Sequence, residues 1–218
     1  VLERILPSAA VAAEASDDER TVSLFPEEEA MMARAVDKRR REFATGRDCA
    51  RRALGRLGVT AGPLLAGDRG EPIWPGGVVG SITHCRGYRG CAVARATEMV
   101  ALGIDAEPHK PLPDGLVEKV AGAEERSALE ELGRTDPAIA WDRLLFSAKE
   151  AVYKAWYPLT ESWLGFEDAV LTIDLEAHTF STRLFLPGPS LAGGGVRGFD
   201  GRWWVEDGLV LTAVAVSS

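Results

Sequence analysis

The chain has 218 residues, 46% hydrophobic and 27% charged, which is the balance of an ordinary globular protein with room for one substantial domain or two small ones. No apolar run approaches the roughly 20 residues that span a bilayer, and Ala9 to Ala13 is too short for a signal peptide, so the expected location is the cytoplasm, away from membranes. A net charge of −8 opposes general nucleic-acid binding, and three cysteines without CxxC spacing argue against a disulfide framework or a structural zinc site.

Residues 1–25 show little periodicity and predict an irregular or short-stranded lead-in. Pro26 suits the first turn of a helix, and Glu27, Glu28 and Glu29 favour its positive end. Helical sequence then runs, with room for one break, to Gly58. Prolines and glycines make Gly62 to Gly77 a loop, after which the period changes to that of strands at Val78–Thr83, Gly90–Ala96 and Val100–Asp105. Pro108, Pro111 and Pro113 mark a bend that divides residues 1–108 from residues 109–218. Helices are predicted at Ala123–Leu132 and Pro137–Trp156. Strands follow at Ala169–Leu175, Thr179–Leu186, Arg202–Val205 and Leu209–Val216, the last two joined by an Asp207-Gly208 hairpin signal. Helix followed by strands occurs twice, which predicts an α+β fold of two halves packed together.

Four stretches could carry chemistry. Asp105 and Glu107 end a predicted strand; side chains two apart share a face, so two hard oxygen donors converge in a way that suits Mg²⁺. Alone, such a pair more often marks a solvated strand edge. Glu150 and Lys154 are i, i+4 on the long helix and would ordinarily be an exposed salt bridge. Here Leu144, Leu145, Phe146, Ala148, Ala151, Val152, Ala155 and Trp156 surround them, so the helix should be buried and its charges should need partners, metal or substrate. In the arginine-rich helix, Arg40, Arg47 and Arg51 fall in a narrow arc beside an apolar face of Phe43, Ala50, Leu54 and Leu57. That row is either a solvated face or a phosphate cradle. Finally, Thr83-His84 follows a strand at a glycine-flanked turn, where a histidine is more often structural but a phosphate contact is open. No role is assigned to His109 or His178.

The order and spacing of KRRREFATGRDCARRAL, GEPIWPGGVVGSITHCRGYRG, ALGIDAEP and WDRLLFSAKEAVYKAW resemble the 4′-phosphopantetheinyl transferase superfamily over residues 25–216. The resemblance is to its longer single-chain type, which activates peptide and polyketide synthetases and siderophore pathways, and in particular to actinobacterial members. It implies two similar α/β halves related by pseudo-twofold symmetry, with the active site between them. It also implies coenzyme A as substrate, Mg²⁺ as cofactor, release of adenosine 3′,5′-bisphosphate, and apo acyl, peptidyl or polyketide carrier proteins as partners. By position Asp105, Glu107 and Glu150 would hold the metal, and these three with Lys154 would be catalytic, Lys154 assisting proton transfer. Lys149 would contact the phosphates, while Arg39, Arg47, Arg51, Thr83 and His84 would hold the nucleotide. The chain has Ala66 and Glu71 where some relatives have lysines, which leaves Arg69 as the cation on that side. Two halves in one chain remove the need for a dimer, so a monomer is expected. A Mg²⁺-dependent phosphohydrolase and a non-catalytic carrier-binding module are the rival readings.

Overall fold

In the computed structural model of the protein the described residues are 1–16, 22–191 and 194–218; residues 17–21 of the predicted lead-in lie outside them. The lead-in contributes a strand, β1 (Val11–Ala15). The expected long helix is two helices, α1 (Pro26–Met31) and α2 (Asp37–Arg56). The break has a physical purpose. It returns α1 to the side of α2, so that the fully buried Glu28 carboxylate receives Arg51 at 2.9 Å and the Leu64 amide at 3.0 Å. Glu28 also accepts from the Phe25 amide, satisfying a donor at the α1 start.

The strands β2 (Val78–Cys85) and β3 (Tyr88–Arg95) form, with β1, an antiparallel sheet of order β1-β3-β2. One face of α2 packs Cys49, Ala50, Ala53 and Leu54 onto this sheet against Cys91 and Val93. Beyond it lies β4 (Met99–Pro108), then a short α3 (Val117–Val120), α4 (Ala123–Thr135) and α5 (Trp141–Thr160). The last helix starts later than predicted and runs past Trp156, ending where Glu161 adopts φ 52°. The remaining strands are β5 (Ala169–Asp174), β6 (Thr179–Leu184), the two-residue pair β7 (Ser190–Leu191) and β8 (Gly194–Gly195), β9 (Asp200–Glu206) and β10 (Leu209–Ser217). Asp207 and Gly208, at φ 52° and 73°, form the tight turn between β9 and β10 that their sequence signals.

The fold is thus α+β, with a long helix on each of two antiparallel sheets. The second sheet has the order β4-β10-β9-β6-β5, so β4, encoded before the proline bend, completes the sheet of the later half by pairing along β10. α5 covers that sheet with Leu144, Leu145, Ala148, Ala151, Val152 and Ala155, all at most 1% exposed. Each of the two leucines contributes about 2 kcal/mol of burial. The contact between α5 and β4 is close because Gly103 has no side chain; a Cβ there would lie 2.0 Å from the Ala151 carbonyl oxygen.

The free edge of β4 is closed in an unusual way. The amides of Ile104 and Ala106 donate to the hydroxyls of Ser81 (3.1 Å) and Thr83 (2.9 Å), two residues apart on β2. Side chains of the first sheet thereby satisfy backbone donors of the second, which fixes the two sheets edge to edge beside Asp105.

Candidate active site

Asp105 lies at this junction, 5% exposed, where β2, β4 and α5 meet. Lys154 donates to its Oδ1 at 2.7 Å and to the Ile104 carbonyl at 3.1 Å, so its partner lies on the neighbouring strand rather than one helical turn away. Thr83 donates to Oδ1 at 3.2 Å and Ser147 to Oδ2 at 2.9 Å. Glu150 stands nearby: burial, then the Asp105 carboxylate, push its pKa above the ordinary glutamate value, with Lys154 opposing. Glu107 is raised for the same two reasons and is drawn back by Arg143, whose Nη1 is 2.9 Å from its Oε2. Arg143 also donates to the carbonyls of Lys110 (3.0 Å) and Pro111 (3.1 Å), clamping the chain that leaves β4.

The three carboxylates expected to share a metal are therefore neighbours in charge but not a ready-made cage. Among the described residues no group of three or more His, Cys, Asp or Glu side chains is close enough to hold a metal ion. The physical reason is pairing: Lys154 occupies Asp105 and Arg143 occupies Glu107. The donor set still fits Mg²⁺, which is content with one or two carboxylates and completes its shell with water and phosphate oxygens.

On the first half, Arg39 Nη1 lies 3.1 Å from His84 Nε2. Desolvation, then the Arg39, Lys154 and Arg89 charges, lower the His84 pKa, and Nε2 accepts from the guanidinium, which can only donate. Arg47 is 5% exposed, its guanidinium stacked 4.3 Å from the Phe43 ring centroid, and its Nε finds no hydrogen-bond partner among the described residues. A buried guanidinium N–H left in this condition favours an anionic ligand. Arg51, expected beside it, is committed internally to Glu28 and to the Ser23 carbonyl (2.9 Å), and Arg40 donates to the Met32 carbonyl. The arginine row is thus split between structure and site.

Two further residues of the expected site are engaged within the protein. Thr83 is 1% exposed and its hydroxyl is used within the protein, accepting from Ala106 and donating to Asp105. Lys149 is likewise enclosed. Its ammonium contacts Glu125 at 2.8 Å and the carbonyls of Val120, Phe166 and Ala169 at 2.8–3.0 Å. Four acceptors already exceed its three protons.

Two cavities adjoin Glu150 and Tyr153. A cleft of about 260 Å³ between the loop after α2 and α5 brings Arg69, Trp74, Glu150, Tyr153, Lys154 and Tyr157 together. A narrower cavity of about 130 Å³ runs under Trp163, Leu164 and Phe166. Arg143, Ser147 and Thr212 belong to the site yet carried no sequence signal of their own, because each gains its role from a partner at least 36 residues away.

Residues 27–94 match the family model described as the 4′-phosphopantetheinyl transferase N-terminal domain, and residues 101–192 that of the 4′-phosphopantetheinyl transferase superfamily. The chain belongs to this superfamily. It is 55% identical to 4′-phosphopantetheinyl transferase Svp of Streptomyces mobaraensis, over 100% of the chain and 90% of that protein. It is 49% identical to PptT of Mycobacterium tuberculosis over 94% of the chain and 91% of the relative, and 47% identical to Npt of Nocardia iowensis over 99% of both. Among the described residues no helix is long and apolar enough to cross a membrane.

Proposed function

We propose that this protein transfers the 4′-phosphopantetheine group of coenzyme A to a serine of an apo carrier protein, releasing adenosine 3′,5′-bisphosphate. The observation that carries the reading is the Asp105–Lys154 pair with Glu150 beside it, at the junction of the two sheets and open to a cleft with its own cation, Arg69. Full-length similarity to named transferases supports it.

In this reading Arg39, Arg47 and His84 bind the nucleotide of coenzyme A, and Arg69 and Lys154 face its diphosphate. The apolar walls of the narrower cavity, Leu164 and Phe166, suit the uncharged pantetheine arm. Mg²⁺, held by Asp105 and Glu150 with Glu107 as the adjoining negative charge, would neutralise the diphosphate and orient its phosphorus. Glu150, whose raised pKa makes it a better proton acceptor than an ordinary carboxylate, takes the proton of the carrier serine. The serine oxygen forms its bond to the β-phosphorus as the bond from that phosphorus to the adenosine-bisphosphate oxygen breaks, and the Lys154 ammonium meets the charge on the departing group. We assign residues 1–108 chiefly to the nucleotide and residues 109–218 to the arm and base. The protein would act as a cytoplasmic monomer on acyl, peptidyl or polyketide carriers.

Incubation with coenzyme A, Mg²⁺ and a panel of apo carriers, weighed by intact-mass spectrometry, tests this. The expected result is a gain of one phosphopantetheine that EDTA abolishes. Release of bisphosphate from coenzyme A without any carrier would instead identify a phosphohydrolase; binding of carriers with no transfer would identify a docking module.

A further inference from the structure

Asp105 is the cross-strand partner of Thr212 in the β4–β10 ladder, so both side chains leave the same face of the sheet, toward α5. Ser147 of α5 sits between them. Its Oγ is 2.9 Å from Asp105 Oδ2 and 2.9 Å from Thr212 Oγ1, and Thr212 Oγ1 also donates to the Ser147 carbonyl at 2.9 Å. Ser147 and Thr212 are both 0% exposed. A carboxylate accepts, so the single Ser147 proton goes to Asp105, and the single Thr212 proton is shared between the Ser147 carbonyl and its Oγ. The direction of the chain is fixed: Thr212 to Ser147 to Asp105.

Aspartate needs such help, because rotation of its carboxylate about χ2 is soft. We infer that Thr212 and Ser147 are positioning residues, a buried hydroxyl relay that holds the Asp105 carboxylate in its working orientation. A residue of the last strand thus tunes a group to which it makes no hydrogen bond. Thr83 and Lys154 hold the other oxygen, Oδ1, so loss of the relay frees one side of the carboxylate only. The inference rests on the transferase reading, in which Asp105 serves metal and diphosphate.

The test compares Thr212→Val, nearly isosteric and lacking only the hydroxyl, with Thr212→Ser, which keeps it. Calorimetric titration of each variant with coenzyme A in the presence and absence of Mg²⁺ is read beside the transfer rate and the melting temperature. Removing an outer partner of a metal-binding group typically costs about 10–100-fold. Thr212→Val, one bond further out, should weaken the Mg²⁺-dependent part of coenzyme A binding and slow transfer by about 3–10-fold at that scale, with Thr212→Ser close to wild type. Equal binding and equal rates in the two variants would overturn the relay. If Thr212→Val fails to fold, Ser147→Ala against Ser147→Cys carries the same comparison one bond closer. A wild-type protein that transfers nothing would sink the transferase reading, whereas a binding difference between the two Thr212 variants would still stand for the relay.

Discussion

Lys149→Met separates a structural lysine from a phosphate-binding one. The ammonium lies among Glu125 and three backbone carbonyls, with side-chain exposures of 4% for Lys149 and 2% for Glu125. Methionine replaces most of the aliphatic stem, so packing is largely kept. What is lost is the counter-charge of a carboxylate that still accepts the Leu171 amide at 2.9 Å and the Gly122 amide at 2.8 Å but cannot reach water. Removing one partner of a buried pair costs about 3–5 kcal/mol. For a chain of this size each 1 kcal/mol moves the melting temperature by about 2–4 °C, so a fall of roughly 6–20 °C is expected. Scanning calorimetry gives that number, and the KM for coenzyme A at a temperature where the variant is folded should stay within about twofold of wild type, on the view that uniform binding is untouched. Adding Glu125→Gln should restore part of the stability, because the buried charge is then gone, but only part, since its one carboxamide oxygen replaces two acceptors that serve the Leu171 and Gly122 amides. A variant that melts like wild type but has a sharply raised KM for coenzyme A would refute this reasoning and return Lys149 to the phosphates.

Two other outcomes follow from the site. Glu150→Gln should lower the transfer rate by at least about 100-fold, the usual contribution of a positioned base. The same change should raise the melting temperature at pH 8. With its folded pKa raised by burial and by Asp105, Glu150 supports the fold fully only below its unfolded value of about 4.3, and that support is lost as pH rises through the folded pKa. The melting-temperature gap between variant and wild type should therefore close as the pH falls toward 4; a gap that widens instead would contradict the assigned shift. Gly103→Ala should cost at least about 1–3 kcal/mol by overpacking, since the new Cβ meets the Ala151 carbonyl and the Ala155 amide nitrogen of α5. Urea unfolding measures this, and a midpoint equal to wild type would show that β4 and α5 can separate without penalty.

The local periods of the chain determined most of its elements. The long amphipathic helix, the strands on either side of the Asp207-Gly208 turn and the strand through Asp105 need only neighbours in sequence to be recognised. The apolar surroundings of Glu150 and Lys154 likewise marked them as charges in search of partners, whereas Asp105 and Glu107 alone would more often read as a solvated strand edge. Which partner each would find was a different kind of question. Lys149 and Lys154 are identical side chains five residues apart on one helix, yet one is enclosed by Glu125 and carbonyls while the other reaches Asp105. Arg47 and Arg51 differ in the same way, one stacked on Phe43 with an Nε that has no partner among the described residues and the other locked to Glu28. Helix periodicity places a residue on a face, but the charges it meets there come from strands and turns that are distant in sequence. Only the docking of β4 between β2, β10 and α5 decided that Thr83, Ser147 and Thr212 surround one carboxylate.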